Sequence, residues 1–266
     1  MSVAPVVLVT GGSRGIGLAA VELLLRGTSK FGACRVVTLQ RSTPNALAEL
    51  AARSDGSLAL IEGDVTSPDD NARAVSTALD RWGHLDALIL NAGVIAEERI
   101  ADTNLATFAH VLNVNTVALI ATLKPALPAL RTSHGRVVFV SSGAATGHTS
   151  GWSAYNASKA ALNAIARTLA NEEPDIAVFS VRPGVVNTEM QTEIRAASAM
   201  SQHEKDKFLT LHRDGKLLAP EQPAHVLAAL AVNGSRETPL MPDGTPMGAA
   251  GGFLSWDVPQ LADFRP

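Results

Sequence analysis

A short run of apolar, mostly β-branched residues leads directly into a glycine-rich loop near the start of the chain. Residues 6–9 read Val-Val-Leu-Val, and the loop reads Thr10-Gly-Gly-Ser-Arg-Gly-Ile-Gly17, before a predicted helix over residues 18–25. A strand, a glycine loop and a helix in this order can bind a pyrophosphate, because glycine lets the backbone approach the anion and the helix N-terminus offers unpaired N–H groups. An ordinary glycine turn is the alternative, which the position between strand and helix disfavours.

Predicted strands and helices alternate along the rest of the chain. Apolar runs predict further strands over residues 35–39, 57–61, 85–90, 137–140, 176–181 and 251–256. Periodic apolar residues predict helices over 44–53, from 67, over 105–130, from 153 and over 220–232. Such alternation indicates an α/β fold, namely a single Rossmann-type domain over 1–266 with a doubly wound parallel sheet of about seven strands and helices on both faces. Residues 189–218 are interpreted as a pair of helices that form a flap over the substrate.

The end of the second predicted strand bears on the choice of cofactor. An NAD site usually has an acidic side chain there for the ribose 2′-hydroxyl, whereas an arginine suits a 2′-phosphate. This chain has Gln40-Arg41-Ser42 and no carboxylate, with Arg14 in the glycine loop as a second cation. We therefore predict NADP(H) rather than NAD(H), the alternative being that Arg41 is a solvated loop cation. Asp64, after the third strand, either faces the adenine or caps the following helix.

Three side chains within residues 142–159 carry the predicted chemistry. Ser142 comes at the carboxyl end of a buried strand, and Tyr155 and Lys159 lie four residues apart on an alanine-rich helix, hence on one face. An ammonium near a phenol favours the phenolate and lowers a pKa that is otherwise about 10. Tyr155, the only tyrosine of the chain, is therefore a candidate proton donor for carbonyl reduction, with Ser142 to bind the substrate oxygen. An ordinary helix tyrosine beside a solvated lysine is the alternative.

Composition argues against several other classes of protein. The net charge is −3 with no basic run, which disfavours nucleic-acid binding. The one cysteine, Cys34, rules out an intrachain disulfide and is expected to be buried and unreactive, and the histidines lack the spacing of metal ligands. We see no signal peptide or anchor before the glycine loop, and Lys124, Pro125 and Pro128 interrupt the apolar stretch 116–130. We therefore expect a cytoplasmic protein with no metal, no membrane and no nucleic-acid partner.

In order and spacing, these motifs resemble those of the short-chain dehydrogenase/reductase family. The motifs are Thr10-Gly11-x-x-x-Gly15-x-Gly17, Asn91-Ala92-Gly93, Asn115, Ser142, Tyr155-x-x-x-Lys159 and Pro183-Gly184. The resemblance implies that Tyr155 is the general acid and that Ser142 orients the carbonyl. It also implies that Lys159 binds the nicotinamide ribose and that Asn115 holds a water of the proton relay. The implied cofactor site consists of Gly11, Ser13, Arg14, Gly15, Ile16, Gly17, Arg41, Asp64, Val65, Asn91, Ala92, Gly93, Tyr155, Lys159, Pro183, Gly184, Val186 and Thr188.

A narrower resemblance concerns the substrate. Residues 151–162 and 182–191 are similar to the fungal benzil-reductase branch of the family, which in turn is similar to sepiapterin reductase. Both groups use NADPH to reduce ketones flanked by a second carbonyl. The resemblance therefore implies a small-molecule carbonyl substrate in a pocket formed by Ser142, Trp152, Tyr155 and Met190, although packing at the sheet edge is the alternative for Trp152.

Two rival functions and an assembly also follow from these patterns. The same residues would serve alcohol oxidation, and a non-catalytic sensor that binds NADPH and a protein partner is the rival of another class. The alanine-rich outer faces of the helices that carry Asn115 and Tyr155 resemble the family's shared dimer bundle. We therefore expect a homodimer, or a tetramer built from it.

Overall fold

The first strand lies inside a seven-stranded sheet in which all neighbouring strands are parallel. The computed structural model describes residues 3–266. Its strands are β1 (Val6–Thr10), β2 (Arg35–Gln40), β3 (Leu58–Glu62), β4 (Ala87–Leu90), β5 (Arg136–Val140), β6 (Ala177–Arg182) and β7 (Phe253–Ser255). Their order is β3-β2-β1-β4-β5-β6-β7, so the direction of winding reverses between β1 and β4. Ligands of such sheets bind beyond the carboxyl ends of the strands at this switch point.

Helices cover both faces of the sheet. Within residues 3–266 they are α1 (Gly15–Arg26), α2 (Asn45–Ala52), α3 (Pro68–Trp82), α4 (Leu105–Leu112), α5 (Ala118–Ser133), α6 (Ser153–Glu172), α7 (Glu189–Ala196), α8 (Gln202–Arg213), α9 (Glu221–Asn233) and α10 (Met247–Ala250). Side chains of β1 alternate between the faces: Val7 and Val9 pack with α1 and α9, whereas Val6 and Leu8 pack with α3, α5 and α6. The predicted doubly wound α/β fold of about seven parallel strands is confirmed.

The long helix predicted over residues 105–130 is interrupted by a π-helical turn. The turn spans Asn113–Val117 and joins α4 to α5. At its centre the Asn115 side chain leaves the helix to pair with the backbone of Val94, accepting from its N–H at 2.8 Å and donating to its carbonyl oxygen at 2.8 Å. A π-turn widens the helix by one residue, which accommodates an asparagine that binds outside its own helix.

The two prolines of this helix do not end it. The helix predicted over residues 105–130 includes Lys124, Pro125 and Pro128, and α5 continues through these residues to Ser133. Each proline costs the helix a backbone hydrogen bond, which the burial of apolar neighbours on the sheet offsets. By length and composition residues Leu105–Ser133 would qualify as a membrane span, with a mean hydropathy of 1.5 and 33% of the window buried. This is weak evidence for a membrane, since a core helix meets the same criteria.

The single cysteine belongs to the core, as expected. Cys34 lies just before β2 and is 2% exposed. Burial, with a smaller contribution from the charge of Asp86, raises the pKa of its thiol to about 12. The group is therefore an uncharged, shielded thiol at neutral pH, which is the unreactive form.

Candidate active site

A cavity of about 1490 Å³ opens at the carboxyl ends of the central strands. The glycine loop, the segments that follow β2 to β6, and helices α7 and α8 line it. The predicted site residues among its walls are Gly11, Ser13, Arg14, Gly15, Ile16, Arg41, Asp64, Val65, Asn91, Ala92, Gly93, Ser142, Trp152, Tyr155, Lys159, Pro183, Gly184, Val186, Thr188 and Met190. Gly17 and Asn115 are not among the lining residues, and both instead support the walls from behind.

The glycine loop packs so closely on α1 that a side chain at Gly17 would not fit. A Cβ on Gly17 would lie 2.1 Å from the carbonyl oxygen of Gly11, which itself has a φ of +70°. Gly17 therefore lets α1 pack closely on the loop, and its predicted contact with the cofactor stays a prediction. Asn91 holds the loop from the end of β4, because its Nδ2 donates to the carbonyl oxygens of Thr10 at 3.1 Å and Gly11 at 3.0 Å. No side chain caps the N-terminus of α1, and this set of groups fits a pyrophosphate.

The end of β2 presents an unpaired amide to the cavity. Gln40 is 3% exposed, and neither polar atom of its side chain has a hydrogen-bond partner among the residues described. A buried amide without partners is costly, so a polar ligand group suits this position. No motif marks Gln40, and the only signal in the sequence is its place as the last residue of the strand. The next residue, Arg41, is exposed and also lines the cavity.

Asp64 lines the cavity and does not cap a helix. Its carboxylate accepts hydrogen bonds from the N–H and the hydroxyl of Thr66, each at 2.8 Å. The backbone hydrogen bond is the main cause that lowers the pKa of Asp64, and Arg41 and His110 contribute. The N-cap of α3 is Ser67, whose hydroxyl accepts from the Asp70 N–H at 3.2 Å. Of the two interpretations of Asp64, the capping one is therefore wrong.

Tyr155, Lys159 and Ser142 converge at the end of β5. The Lys159 side chain is 4% exposed, and its Nζ donates to the carbonyl oxygen of Val140, the last residue of β5, at 2.8 Å. The same Nζ lies 5.7 Å from the ring centre of Tyr155. Ser142 follows the strand, and its hydroxyl accepts from the Ala144 N–H at 3.1 Å. As predicted, the three side chains thus lie together at one end of the sheet.

The expected lowering of the tyrosine pKa is not found. Burial raises the pKa of Tyr155 above its usual 10.0, and a hydrogen bond with Ser142 opposes this only in part. Burial likewise lowers the pKa of Lys159 to about 8. The physical reason is that the ammonium is bonded to a backbone carbonyl and not to the phenol, so desolvation outweighs attraction between the two groups. The protein's own groups therefore keep Tyr155 protonated.

Asn115 connects α6 to the segment after β4. Besides its two bonds to Val94, its Nδ2 donates to the Ser158 hydroxyl at 3.0 Å. Ser158 precedes Lys159 on α6, and its hydroxyl in turn donates to the Tyr155 carbonyl oxygen at 2.8 Å. Asn115 therefore holds α6 in place, and its predicted role in binding a relay water stays a prediction.

Trp152 forms an aromatic wall beside Tyr155. The two rings meet edge to face, with centroids 5.6 Å apart and planes at 86°. Phe208 of α8 also packs on the indole, with ring centroids 5.7 Å apart. Met200 is buried in the same cluster and Met190 packs against it. Trp152 thus lines the cavity next to the phenol and does not pack at the sheet edge.

Two carboxylates anchor the helices predicted as a flap. Glu189, the first residue of α7, forms an ion pair with Arg14 of the glycine loop. Glu204 of α8 accepts from the Ser150 N–H at 3.0 Å and from the hydroxyls of Ser150 and Ser201. These bonds, that of the Ser150 hydroxyl first, lower the pKa of Glu204 to about 2. The two helices are therefore tied to the glycine loop through Arg14 and to the segment between β5 and α6 through Ser150.

Arg182 is a cavity residue that was not among the predicted site residues. It ends β6, is exposed and lines the cavity just before Pro183. A Cβ on Gly143 would lie 3.0 Å from the Cζ of Arg182, so the guanidinium lies against the residue that follows Ser142. The signal in the sequence was again a position at the carboxyl end of a strand.

Comparison with known proteins gives a consistent picture. The family model for short chain dehydrogenases matches residues 5–199. An uncharacterised oxidoreductase of Schizosaccharomyces pombe is 39% identical over 232 residues, 86% of this chain and 91% of that protein. A benzil reductase ((S)-benzoin forming) of Saccharomyces cerevisiae is 32% identical over 241 residues, 86% of this chain and 90% of that protein.

A solved structure agrees with these relatives. The crystal structure of a short-chain dehydrogenase/reductase from Saccharomyces cerevisiae has a TM-score of 0.89 at 35% identity, and covers 99% of this chain and 100% of that one. The family model covers most of the chain, including the glycine loop and the Ser142, Tyr155 and Lys159 grouping. The chain therefore belongs to the short-chain dehydrogenase family, whose members are oxidoreductases that bind NAD or NADP.

Proposed function

We propose that this protein is an NADPH-dependent carbonyl reductase acting on ketones, with vicinal diketones as the preferred class. The observation that carries the proposal is the buried, protonated phenol of Tyr155 beside Ser142 and Lys159 within the large cavity. A reductase needs a proton donor at this position, whereas alcohol oxidation needs a base. A phenol that holds its proton is the form of Tyr155 with which a reduction begins.

Each side chain then has a defined task. The bound nicotinamide would supply the hydride. Ser142 donates its hydroxyl hydrogen to the substrate carbonyl oxygen and orients it towards the Tyr155 hydroxyl, which transfers its proton to the same oxygen. The Lys159 ammonium binds the ribose and stabilises the phenolate that remains. Asn115 keeps α6 in register with these groups, so the reacting atoms stay within reach of each other.

The end of β2 supports NADPH. Arg41 is exposed at the cavity wall and forms no salt bridge among residues 3–266, while Gln40 offers a free amide beside it. A guanidinium and an amide suit a 2′-phosphate, and residues 40–42 include no carboxylate. Arg14 is already paired with Glu189, so Arg41 is the main determinant of this preference.

The substrate side supports an aromatic ketone with a second polar oxygen. Trp152 and Phe208 provide an apolar wall, and Arg182 provides a cation next to Gly143. Arg182 is therefore able to donate a hydrogen bond to the second carbonyl of a diketone while Ser142 and Tyr155 bind the first. The similarity to a benzil reductase agrees with this substrate class.

The proposed working form is a cytoplasmic homodimer. Leu105 of α4 is 81% exposed, and Val117 and Ile120 further along the same helical segment are 57% and 41% exposed. Large apolar side chains on one exposed segment favour contact with another protein surface. A second copy of this helix would cover them symmetrically.

Replacing Tyr155 by Phe tests the reaction. The variant keeps the ring but loses the proton donor, so we expect kcat for a diketone to fall by about 10²–10⁴-fold. The dissociation constant for NADPH, measured by fluorescence titration, should change by less than about threefold, as the cavity wall is preserved. Turnover close to that of the unmodified chain would contradict the mechanism, and absence of turnover in both chains would favour the sensor.

The pH dependence tests the role of Lys159. Its pKa of about 8 means that it is charged below this pH and neutral above it. We therefore expect kcat/KM for NADPH to fall as the pH rises through about 8. Lys159→Arg stays charged throughout, and any activity it retains should show no fall near this pH. A fall near pH 8 that persists in Lys159→Arg would assign it to another group.

Reversal of the charge of Arg41 tests the cofactor preference. Arg41→Asp should lower the preference for NADPH over NADH by about 10–100-fold, the worth of a charge-assisted hydrogen bond. Arg53→Asp makes the same change of charge on an exposed residue outside the cavity and should leave the preference unaltered. An equal response of the two variants would show that overall charge is responsible, and an unchanged preference in Arg41→Asp would refute the assignment.

Removing the cation at residue 182 tests the substrate class. Arg182→Met should lower kcat/KM for a diketone by about tenfold, the worth of one hydrogen bond from a charged donor. A monoketone of the same size, with no second oxygen to bind, should be reduced as before. Equal loss with both substrates would show that Arg182 only supports the fold.

A further inference from the structure

A buried carboxyl and a buried indole N–H lie next to each other behind the substrate wall. Glu97 lies in the segment after β4, and Trp152 immediately precedes α6. Both carboxylate oxygens of Glu97 and the Nε1 of Trp152 are shielded from solvent, and none has a hydrogen-bond partner of normal geometry among residues 3–266. The backbone holds their segments together. The Glu98 N–H donates to the Gly151 carbonyl oxygen at 2.9 Å, and Glu98 and Trp152 form an isolated parallel β-bridge.

Among the groups around Glu97, the Trp152 indole is the one left to donate a hydrogen bond to it. Burial raises the pKa of the Glu97 carboxyl to about 7, against the opposing effects of the Trp152 indole and, less strongly, Lys205. Glu193 of α7 adds to the rise. The Lys205 ammonium is bonded elsewhere, to the Ala197 carbonyl oxygen at 2.6 Å. The indole N–H is thus the donor that remains for Glu97, and either protonation state of the carboxyl has an oxygen that can accept from it.

The indole is held between this carboxyl and the catalytic tyrosine. Trp152 meets Tyr155 edge to face at 5.6 Å, an arrangement that depends on the tilt of the indole plane. Aromatic packing alone tolerates several tilts, whereas a hydrogen bond at Nε1 selects one. A partner for Nε1 therefore determines how much room is left beside the Tyr155 hydroxyl.

We propose that Glu97 is a positioning residue that fixes the Trp152 ring through its Nε1–H and thereby sets the width of the substrate pocket for aromatic ketones. The inference rests on the proposed carbonyl reduction at Tyr155. Glu97 is not among the residues that line the cavity, so it acts only through Trp152. A bulky substrate that packs on the indole depends on this contact, and a small one that does not reach the wall is independent of it.

Two variants at residue 97 and two substrates test the proposal with NADPH. Glu97→Leu removes the acceptor at similar volume, and Glu97→Gln keeps an acceptor oxygen. For benzil, with its two phenyl rings, Glu97→Leu should raise KM by about tenfold with kcat altered less than threefold, and Glu97→Gln should restore KM to within about twofold. For 2,3-butanedione, a small diketone, all three chains should agree within about twofold. Equal losses with both substrates, or no rescue by glutamine, would overturn the proposal.

Fluorescence provides a readout that needs no turnover. In a chain carrying Trp82→Phe and Trp256→Phe, Trp152 is the only indole. Adding Glu97→Leu should shift its emission maximum, whereas Glu97→Gln should leave it in place. Glu98→Leu is the matched control, because Glu98 accepts from the Asn104 N–H at 3.0 Å, and it should cause no shift. An unshifted emission in Glu97→Leu would overturn the inference even in an active enzyme. A chain that reduces no ketone yet shows the shift would refute only the proposed function.

Discussion

The buried ammonium of Lys159 is the interaction on which the site depends. A cation taken out of water needs compensation, and the protein supplies one neutral oxygen, that of Val140 at the end of β5. The depressed pKa of Lys159 shows that this compensation is incomplete. Such a cation is therefore ready to bind further oxygen atoms, whether ribose hydroxyls or a phenolate. Its position in turn depends on α6, which Leu162 and Ala166 hold on the sheet and Asn115 holds from the side.

The sequence was sufficient to group Ser142, Tyr155 and Lys159 but not to predict the protonation of the tyrosine and the lysine. Spacing along a helix placed Tyr155 and Lys159 on one face, and the end of a buried strand placed Ser142 beside them. The direction of the ammonium was not predictable, because it depends on which oxygen the strand presents to it. With Nζ bonded to Val140, desolvation dominates and the phenol pKa rises. The proposed carbonyl reduction would need this protonated form of the phenol at its start.

The fold likewise has features that the sequence predicted and features that it did not. Strands and layers follow from apolar periodicity, which is local, so the sheet was predictable to within one or two residues at most ends. The π-turn at Asn115 depends on the backbone of Val94, a partner distant in sequence, and it was not predicted. Gln40, Arg182 and Glu97 were missed for a related reason. None of the three is a motif residue, and only the assembled structure shows that Gln40 and Glu97 lack hydrogen-bond partners among residues 3–266 and that Arg182 faces the cavity.

The site has two parts that are supported by different segments: the α6 helix, and the cavity wall, in which residues can be substituted. Tyr155 and Lys159 are fixed by α6, whose position is determined by the sheet and by Asn115. The substrate wall comes from other segments, and polar contacts such as that of Glu204 with Ser150 hold it in place. A substitution in the wall is therefore expected to alter the shape of the cavity without moving Tyr155 and Lys159. Under the proposed function, this separation would let one proton-donating arrangement serve substrates of different shape, with Trp152, Phe208 and Arg182 selecting among them.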